Sequence, residues 1–296
     1  MKSLVTGGAG FIGSNLASRL LDLGHEVLCV DNESSDGHEY FYWNPNCKNY
    51  KLDVSDIDSI RPLFNGVDYV FHLAAEARIM NCIENPTKAV QSNTLGTATL
   101  LQASRESGVK RFVYSSTSSA YGNNNVPNVE SQPDDCLNPY SVSKVSGEKL
   151  CSMYTSLFSL PTVIFRYFNI YGLNQPTKGQ YAPVLGVFLR QRDKGEPLTI
   201  VGDGSQRRDF TNVQDVVEAN LLACSELDPK FFGTVFNVGT GINYSVLEIA
   251  KIISNNYTFI PQRPGEMRET LADISKIKNV LGWQPKVALE DWLKNQ

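Results

Sequence analysis

Tyr140 and Lys144 stand four residues apart in NPYSVSK (138–144), so a helix there carries both on one face. A cation beside a phenol stabilises phenolate and lowers the phenol's pKa. A tyrosine brought down from about 10 toward neutrality acts as a general base on an alcohol. Taken alone, YxxxK fits an ordinary surface helix with a packed tyrosine equally well. Upstream, SSTSSAYG (115–122) sets five hydroxyl residues, Ser115 to Ser119, directly after the apolar run KRFVY (110–114). Hydroxyls at the mouth of a strand form either a loop or a catalytic edge. No Asp or Glu stands between Thr117 and Gly122.

A second chemistry-bearing stretch opens the chain. TGGAGFIGS (6–14) holds glycines at 7, 10 and 13, placed where a strand turns into a helix. Backbone can approach a pyrophosphate closely there, and free amides at a helix N-terminus favour its charge. Three glycines also make a plain tight turn. Asp31, 18 residues past Gly13 at the end of the second apolar run, favours the ligand reading. A carboxylate there accepts both adenosine ribose hydroxyls and repels a 2′-phosphate, and no Arg follows closely, which favours NAD over NADP. Asp53 and Val54 are candidates for the adenine edge; Asp53 reads equally as a helix N-cap.

The elements that position these residues follow from periodicity. KSLVT (2–6), EVLCVD (26–31), KNYKLDV (48–54), DYVFHLA (68–74), RFVYSS (111–116) and PTVIFRYFN (161–169) read as strands. Ile12, Leu16, Leu20 and Leu23 recur at helical spacing and Gly24 stops that helix. Further helices are expected near 56–64, 85–107 and 139–158. Strands alternating with helices predict a parallel sheet, an α/β doubly wound fold of Rossmann type. After about residue 170 the texture changes. YGLNQPTKGQYAP reads as a long loop. Shorter elements follow: helices near 184–194, 213–226 and 245–254, the LTIVGDG turn, and a strand at 234–239. These predict a smaller α/β lobe interleaved with the first.

The 296-residue length suits one large α/β domain with a smaller lobe. A net charge of −4 with no long run of one sign argues against nucleic-acid binding. Six cysteines and three histidines are scattered, with neither zinc spacing nor a disulfide framework, so no metal site is expected. Free thiols suit a reducing compartment such as the cytoplasm. No stretch is apolar and long enough to span a membrane, and SLVTGGAG, starting at residue 3, reads as folded structure rather than a signal peptide.

In order and spacing, these motifs resemble the extended short-chain dehydrogenase/reductases, specifically the NAD-dependent nucleotide-sugar epimerase/dehydratase group. The resemblance runs nearly end to end. It includes RYFNIYG (166–172), GDGSQRRDFTNVQDV (202–216), FNVGTG (236–241), RPGE (263–266) and ADISKIKNVLGWQP (272–285). It implies an NAD-binding Rossmann domain over 1–168, with part of the later chain interleaved, and a nucleotide-sugar lobe mainly over 169–296. It implies NAD held by Gly7, Gly10, Phe11, Ile12, Gly13, Asp31 and Asn32. Asp53, Val54, Leu73, Ala74, Ala75, Tyr140 and Lys144 join them. It implies that Thr117, Tyr140 and Lys144 act on the sugar's 4-hydroxyl, and that the protein is a homodimer through the helices near 85–107 and 139–158.

The resemblance also separates the reactions. Dehydratases of this group carry an acid pair just after the catalytic Thr, and decarboxylating members a Glu two residues past it. Here those positions are Ser118 and Ser119, which points to a 4-epimerase acting through a transient 4-keto sugar. A 4,6-dehydratase, a decarboxylase and a non-catalytic NAD-binding regulator are the alternatives. By motif match, Asn169, Arg208 and Arg263 hold the substrate diphosphate, a UDP-sugar being favoured, and Glu266 the ribose; Arg207 is the weaker of the adjacent arginines. Thr270 falls where the group's 4-epimerases set room at the sugar's carbon 2, and its small size suggests tolerance of a 2-acetamido group. Glu76 is expected either near the sugar or paired with Arg78. The aromatic run at 39–43 is expected to pack on the adenosine side or at an interface.

Overall fold

The computed structural model describes residues 1–37, 40–177, 183–262 and 267–296. Its centre is a seven-stranded parallel sheet. The first six strands are β1 (Lys2–Thr6), β2 (Glu26–Asp31), β3 (Lys48–Lys51), β4 (Tyr69–His72), β5 (Arg111–Thr117) and β6 (Thr162–Tyr167). The spatial order is Val235–Val238, β6, β5, β4, β1, β2, β3. β5 and β6 are buried along their whole length, as strands covered on both faces must be. One face packs on Leu16 and Leu20 of α1 (Phe11–Asp22), with Val216 and Ile277 from later helices. The other face packs on Leu100 and Leu101 of helix Gly96–Glu106 and on Cys151 and Tyr154 of helix Pro139–Phe158. The doubly wound sheet expected from the alternation is therefore present.

The strand order reverses between β1 and β4, so their chain connections leave the sheet in opposite directions. A crevice opens there beyond the carboxyl ends, the place where such sheets bind ligands. Helix Pro139–Phe158 runs from that crevice. Its start is well specified: Pro139 sits at the first helical position and the Asn138 side chain accepts the Ser141 amide at 3.0 Å.

A second apolar cluster lies in the later chain, with Phe188, Leu198, Ile200 and Ile249 at its centre. Two features differ from the periodicity reading. LTIVGDG is not only a turn: Leu198–Val201 is a strand, and it pairs in parallel with Tyr257–Ile260. Its partner lies far downstream, so no local pattern marks it. The helical run expected at 85–107 is interrupted by a wider, π-type turn over Val90–Leu95, a distortion frequent at functional sites. The expected loop 171–183 begins on the short strand Ile170–Tyr171, and 178–182 lie outside the described residues.

The glycine turn is as tight as its sequence implies. A Cβ on Gly13 would stand 2.0 Å from the Gly7 carbonyl oxygen. Gly7 itself has φ +68°, and a Cβ there would stand 2.8 Å from the Ala74 amide nitrogen. Backbone cannot yield as a side-chain tip can, so Gly13→Ala should destabilise the protein by about 1–3 kcal/mol. A urea denaturation series reads this as a lowered midpoint at unchanged slope.

Candidate active site

One cavity of about 1270 Å³ runs across the crevice into the later lobe. Pockets for a single small molecule usually measure about 300–1,000 Å³, so this one has room for two ligands side by side. Gly7, Gly10, Phe11, Ile12 and Gly13 line its first end. The N-cap of α1 carries no side-chain hydrogen bond, leaving first-turn amides available to an anion. Asp31 lies on the same wall and accepts Ala9 N at 3.2 Å and Glu33 N at 2.8 Å, one on each oxygen. Each oxygen keeps a further lone pair for a ligand hydroxyl. Burial pushes the Asp31 carboxyl up from its ordinary value, against the pull of those amides.

Asn32 and Asp53 also reach the wall, tied to each other at 2.9 Å. Asp53 is not the helix cap: Asp56 caps Ile57–Ile60, and Asp53 closes a local turn on Ser55. Val54, Leu73, Ala74 and Ala75 complete this end. Phe41 of the aromatic run lines it too, while the Trp43 indole donates to Glu33 at 2.7 Å. The run thus lies beside Asp31, on the side that sequence favoured; Glu39 lies outside the described residues. The glycine cradle, the open amides and the spare acceptor capacity of Asp31 fit a dinucleotide without a 2′-phosphate.

The middle of the cavity holds the hydroxyl run. Ser115 Oγ donates to the Tyr167 phenol at 3.1 Å and Ser116 Oγ to Glu148 at 2.5 Å. The Thr117 hydroxyl takes the Ser119 amide at 3.1 Å and lies close enough to the Tyr140 phenol to lower its pKa. Of the five hydroxyls, Thr117 is the one that acts on Tyr140 in this way, and Thr117, Ser118, Ser119, Tyr140 and Lys144 all face the cavity.

The expected lowering of the Tyr140 pKa by Lys144 is not what the structure shows. Burial pushes the phenol up to about 12, and the nearby Thr117 hydroxyl offsets only part of that. Lys144 instead points its ammonium over the Tyr114 ring, 4.3 Å from the centroid. The two share a helix face, but the cation is drawn to an aromatic surface, and burial lowers its own pKa to about 8.

Glu76 and Arg78 both line the cavity but do not pair as expected. Lys88 reaches Glu76 at 3.2 Å, and Arg78 reaches Asp36 at 3.4 Å. Loop neighbours in sequence point apart because the segment turns into helix Ile79–Glu84.

In the far half, Asn169 and Arg208 line the wall. Arg207 does not, since its guanidinium is used by Asn243 at 2.8 Å and Glu248 at 3.1 Å. Thr270 is corrected. It is 1% exposed and off the described cavity wall; its hydroxyl accepts Asn169 Nδ2 at 3.1 Å and Asp209 N at 3.3 Å. Its short side chain ends against Asn169, so it orients that amide rather than facing a ligand. Arg263 and Glu266 lie outside the described residues.

Two features of the site escaped the sequence reading. Asn93, buried in the π-type turn, accepts the Glu76 amide at 2.8 Å and donates to Ser143 at 2.9 Å. Glu148 continues the Tyr140–Lys144 stripe by one more i+4 step and grips Arg166 with both oxygens, at 2.8 and 2.6 Å. The i, i+4, i+8 spacing was the available signal for Glu148; Asn93 had none.

A glycine cradle at a strand reversal, an acid closing β2 and a buried Thr–Tyr contact beside a lysine define a dinucleotide-dependent enzyme site acting on a second ligand. The chain belongs to the NAD dependent epimerase/dehydratase family, whose model matches residues 3–239. It is 34% identical to a putative UDP-glucose 4-epimerase of Methanocaldococcus jannaschii, over 99% of this chain and 98% of that one. The UDP-glucose 4-epimerase of Thermotoga maritima, solved with UDP-glucose, superimposes with a TM-score of 0.94 at 37% identity, covering 99% and 96% of the chains. A UDP-N-acetylglucosamine 4-epimerase from Methanobrevibacter ruminantium gives 0.91 at 32% identity, covering 99% and 96%.

Lys144 makes the empty site costly. Its folded-state pKa of about 8 lies below the ordinary 10.5, so at pH 7 the folded chain carries a poorly solvated cation. That penalty is complete below pH 8 and fades as pH rises toward the unfolded value. Lys144→Met should therefore raise the stability of the cofactor-free protein at pH 7 by about 2 kcal/mol, with the gain shrinking above pH 8. Thermal melts of both proteins across pH 6–10 check the size and the sign.

Proposed function

We propose that the protein is an NAD-dependent 4-epimerase of nucleotide-diphosphate sugars, a UDP-hexose or UDP-N-acetylhexosamine being the substrate. The observation that carries this reading is the Thr117–Tyr140 contact flanked by Ser118 and Ser119 rather than by carboxylates. NAD, which the glycine cradle and Asp31 would hold, would supply the reversible hydride acceptor for carbon 4 of the sugar. Tyr140 takes the 4-hydroxyl proton and later returns it, so neither proton nor hydride is consumed over a turnover. Thr117, near the phenol on the same wall, passes the proton between sugar oxygen and Tyr140. Lys144, on the cavity wall beside Tyr140, holds the cofactor ribose. Tyr140 sits in the first turn of its helix, whose amide dipoles favour the phenolate.

Elimination or decarboxylation, the closest alternatives, need an acid or base near carbons 5 and 6. The described wall offers Glu76 as its one carboxylate outside the Asp31–Asp53 end, and Lys88 holds it in an ion pair. With Thr270 withdrawn behind Asn169, no bulky side chain at position 270 closes the space at carbon 2, which supports acceptance of an acetamido group.

The test is incubation with UDP-glucose, UDP-N-acetylglucosamine and UDP-glucuronate, followed by NMR without added NAD. Inversion at carbon 4 is expected. A stable 4-keto-6-deoxy sugar or released carbon dioxide would overturn the epimerase reading. Tyr140→Phe should cut turnover about 100- to 10,000-fold while leaving the fold intact.

We also propose a cytoplasmic homodimer. Free thiols throughout suit a reducing compartment. Helix Pro139–Phe158 exposes Val142, Met153 and Leu157 along one side, and the adjoining helical run exposes Val90 and Leu95. A double Val142→Glu, Leu157→Glu variant should sediment as a monomer where the parent sediments as a dimer.

A further inference from the structure

The two halves of the cavity differ in charge. The first half contains Asp31, Asp53 and Glu76. From Tyr167 onward the described wall has no Asp or Glu, and its charged side chains are Arg190 and Arg208. Arg208 donates to the backbone carbonyls of Arg207 and Arg268. Arg190 is different. Its Nε is buried with no hydrogen-bond partner, and no ion pair to it occurs among the described residues. The nearest acid in sequence, Asp193, is taken by Arg192 at 2.8 and 3.0 Å.

Its setting is rigid. Arg190 lies in the last turn of helix Val184–Asp193, and the next residue fastens that turn to the strand Leu198–Val201. Gln191 donates to Thr199 Oγ1 at 3.0 Å and accepts the Thr199 amide at 3.1 Å. Arg190 is thus fixed beside Thr199 and Val201 on the cavity wall. A desolvated guanidinium nitrogen without an acceptor is unfavourable, and native proteins rarely leave one. Nε itself is covered, but the terminal nitrogens of the same guanidinium also hold no partner among the described residues and are not among the covered atoms, so an acceptor in the cavity can reach the group there.

We propose that Arg190 is a substrate-anchoring residue that donates to a phosphate oxygen of the nucleotide diphosphate. It adds a second cation to the half-cavity that also holds Arg208. The inference rests on the nucleotide-sugar reading above and names a contact within it. A phosphate is the ligand group that matches: the described wall of this half carries arginines and no carboxylate, and the planar guanidinium fork fits phosphate oxygens better than any single donor does.

The experiment is titration calorimetry of the intact protein with UDP and with uridine, for the parent, Arg190→Lys and Arg190→Ala. Arg190→Ala should weaken UDP binding about 10- to 100-fold, with uridine binding changed less than about twofold. Arg190→Lys should fall between, since an ammonium keeps the charge and loses the fork. In turnover assays the loss should fall on KM more than on kcat, and the melting temperature should hold. Unchanged UDP affinity in Arg190→Ala, with the parent still binding UDP, would overturn this proposal alone. Equal losses for uridine and UDP would overturn the phosphate contact in favour of the nucleoside. A parent protein that binds no nucleoside diphosphate would overturn the substrate reading and this contact together.

Discussion

The buried pair of Arg166 and Glu148 ties together the three elements on which the site depends. Each is 2% exposed. Glu148 belongs to the helix that carries Tyr140 and Lys144, Arg166 to β6, and Ser116, bonded to Glu148, to β5 one residue before Thr117. Asp134 reaches the same guanidinium at 2.5 Å, and the Tyr121 ring covers it 4.6 Å away. Two charges removed from water in this way add little net stability as a pair. Removing either partner strands the other at a cost of about 3–5 kcal/mol. The arrangement therefore specifies position: a helix and two strands can meet here in one register, and that register brings the Thr117 hydroxyl to the Tyr140 phenol.

This division between what is local and what is not explains how much of the protein its sequence reveals. The strands of the sheet, the glycine turn and the start of helix Pro139–Phe158 follow from short patterns whose causes lie within a few residues. So do Asp31 at the end of β2 and the helix face shared by Tyr140 and Lys144, whereas Thr117 is singled out from its hydroxyl run by family resemblance alone. The pairing of Leu198–Val201 with Tyr257–Ile260 joins segments nearly sixty residues apart, and no local periodicity encodes it. Glu76 and Arg78 look like partners on the page because they are two residues apart. In space each finds its counter-charge on another element. Thr270 was legible as small but not as recessed, since its depth depends on where Asn169 turns. The phenol's shift failed for a related reason: helical spacing says which face a lysine shares, not which neighbour on that face draws its charge.

The cavity wall carries a further order. Among the described residues, acids line the Asp31–Asp53 end and the middle of the groove, and none lines the far half. A chain of net charge −4 that must hold two anionic ligands gains most by sorting its charges along the groove. The glycine cradle presents uncharged backbone amides, while the far half presents the guanidinium groups of Arg190 and Arg208.

The lysine buried beside Tyr114 has one more consequence. Its charge is tolerated in the empty chain only at the expense of stability, and a ligand that binds the folded form alone offsets such a penalty by mass action. The empty protein is then the most fragile state the molecule visits. A protease that samples transiently opened chains will clear vacant copies faster than loaded ones. The lifetime of the population in a cell would accordingly follow the supply of dinucleotide, and the surviving molecules would be those already equipped to turn over substrate.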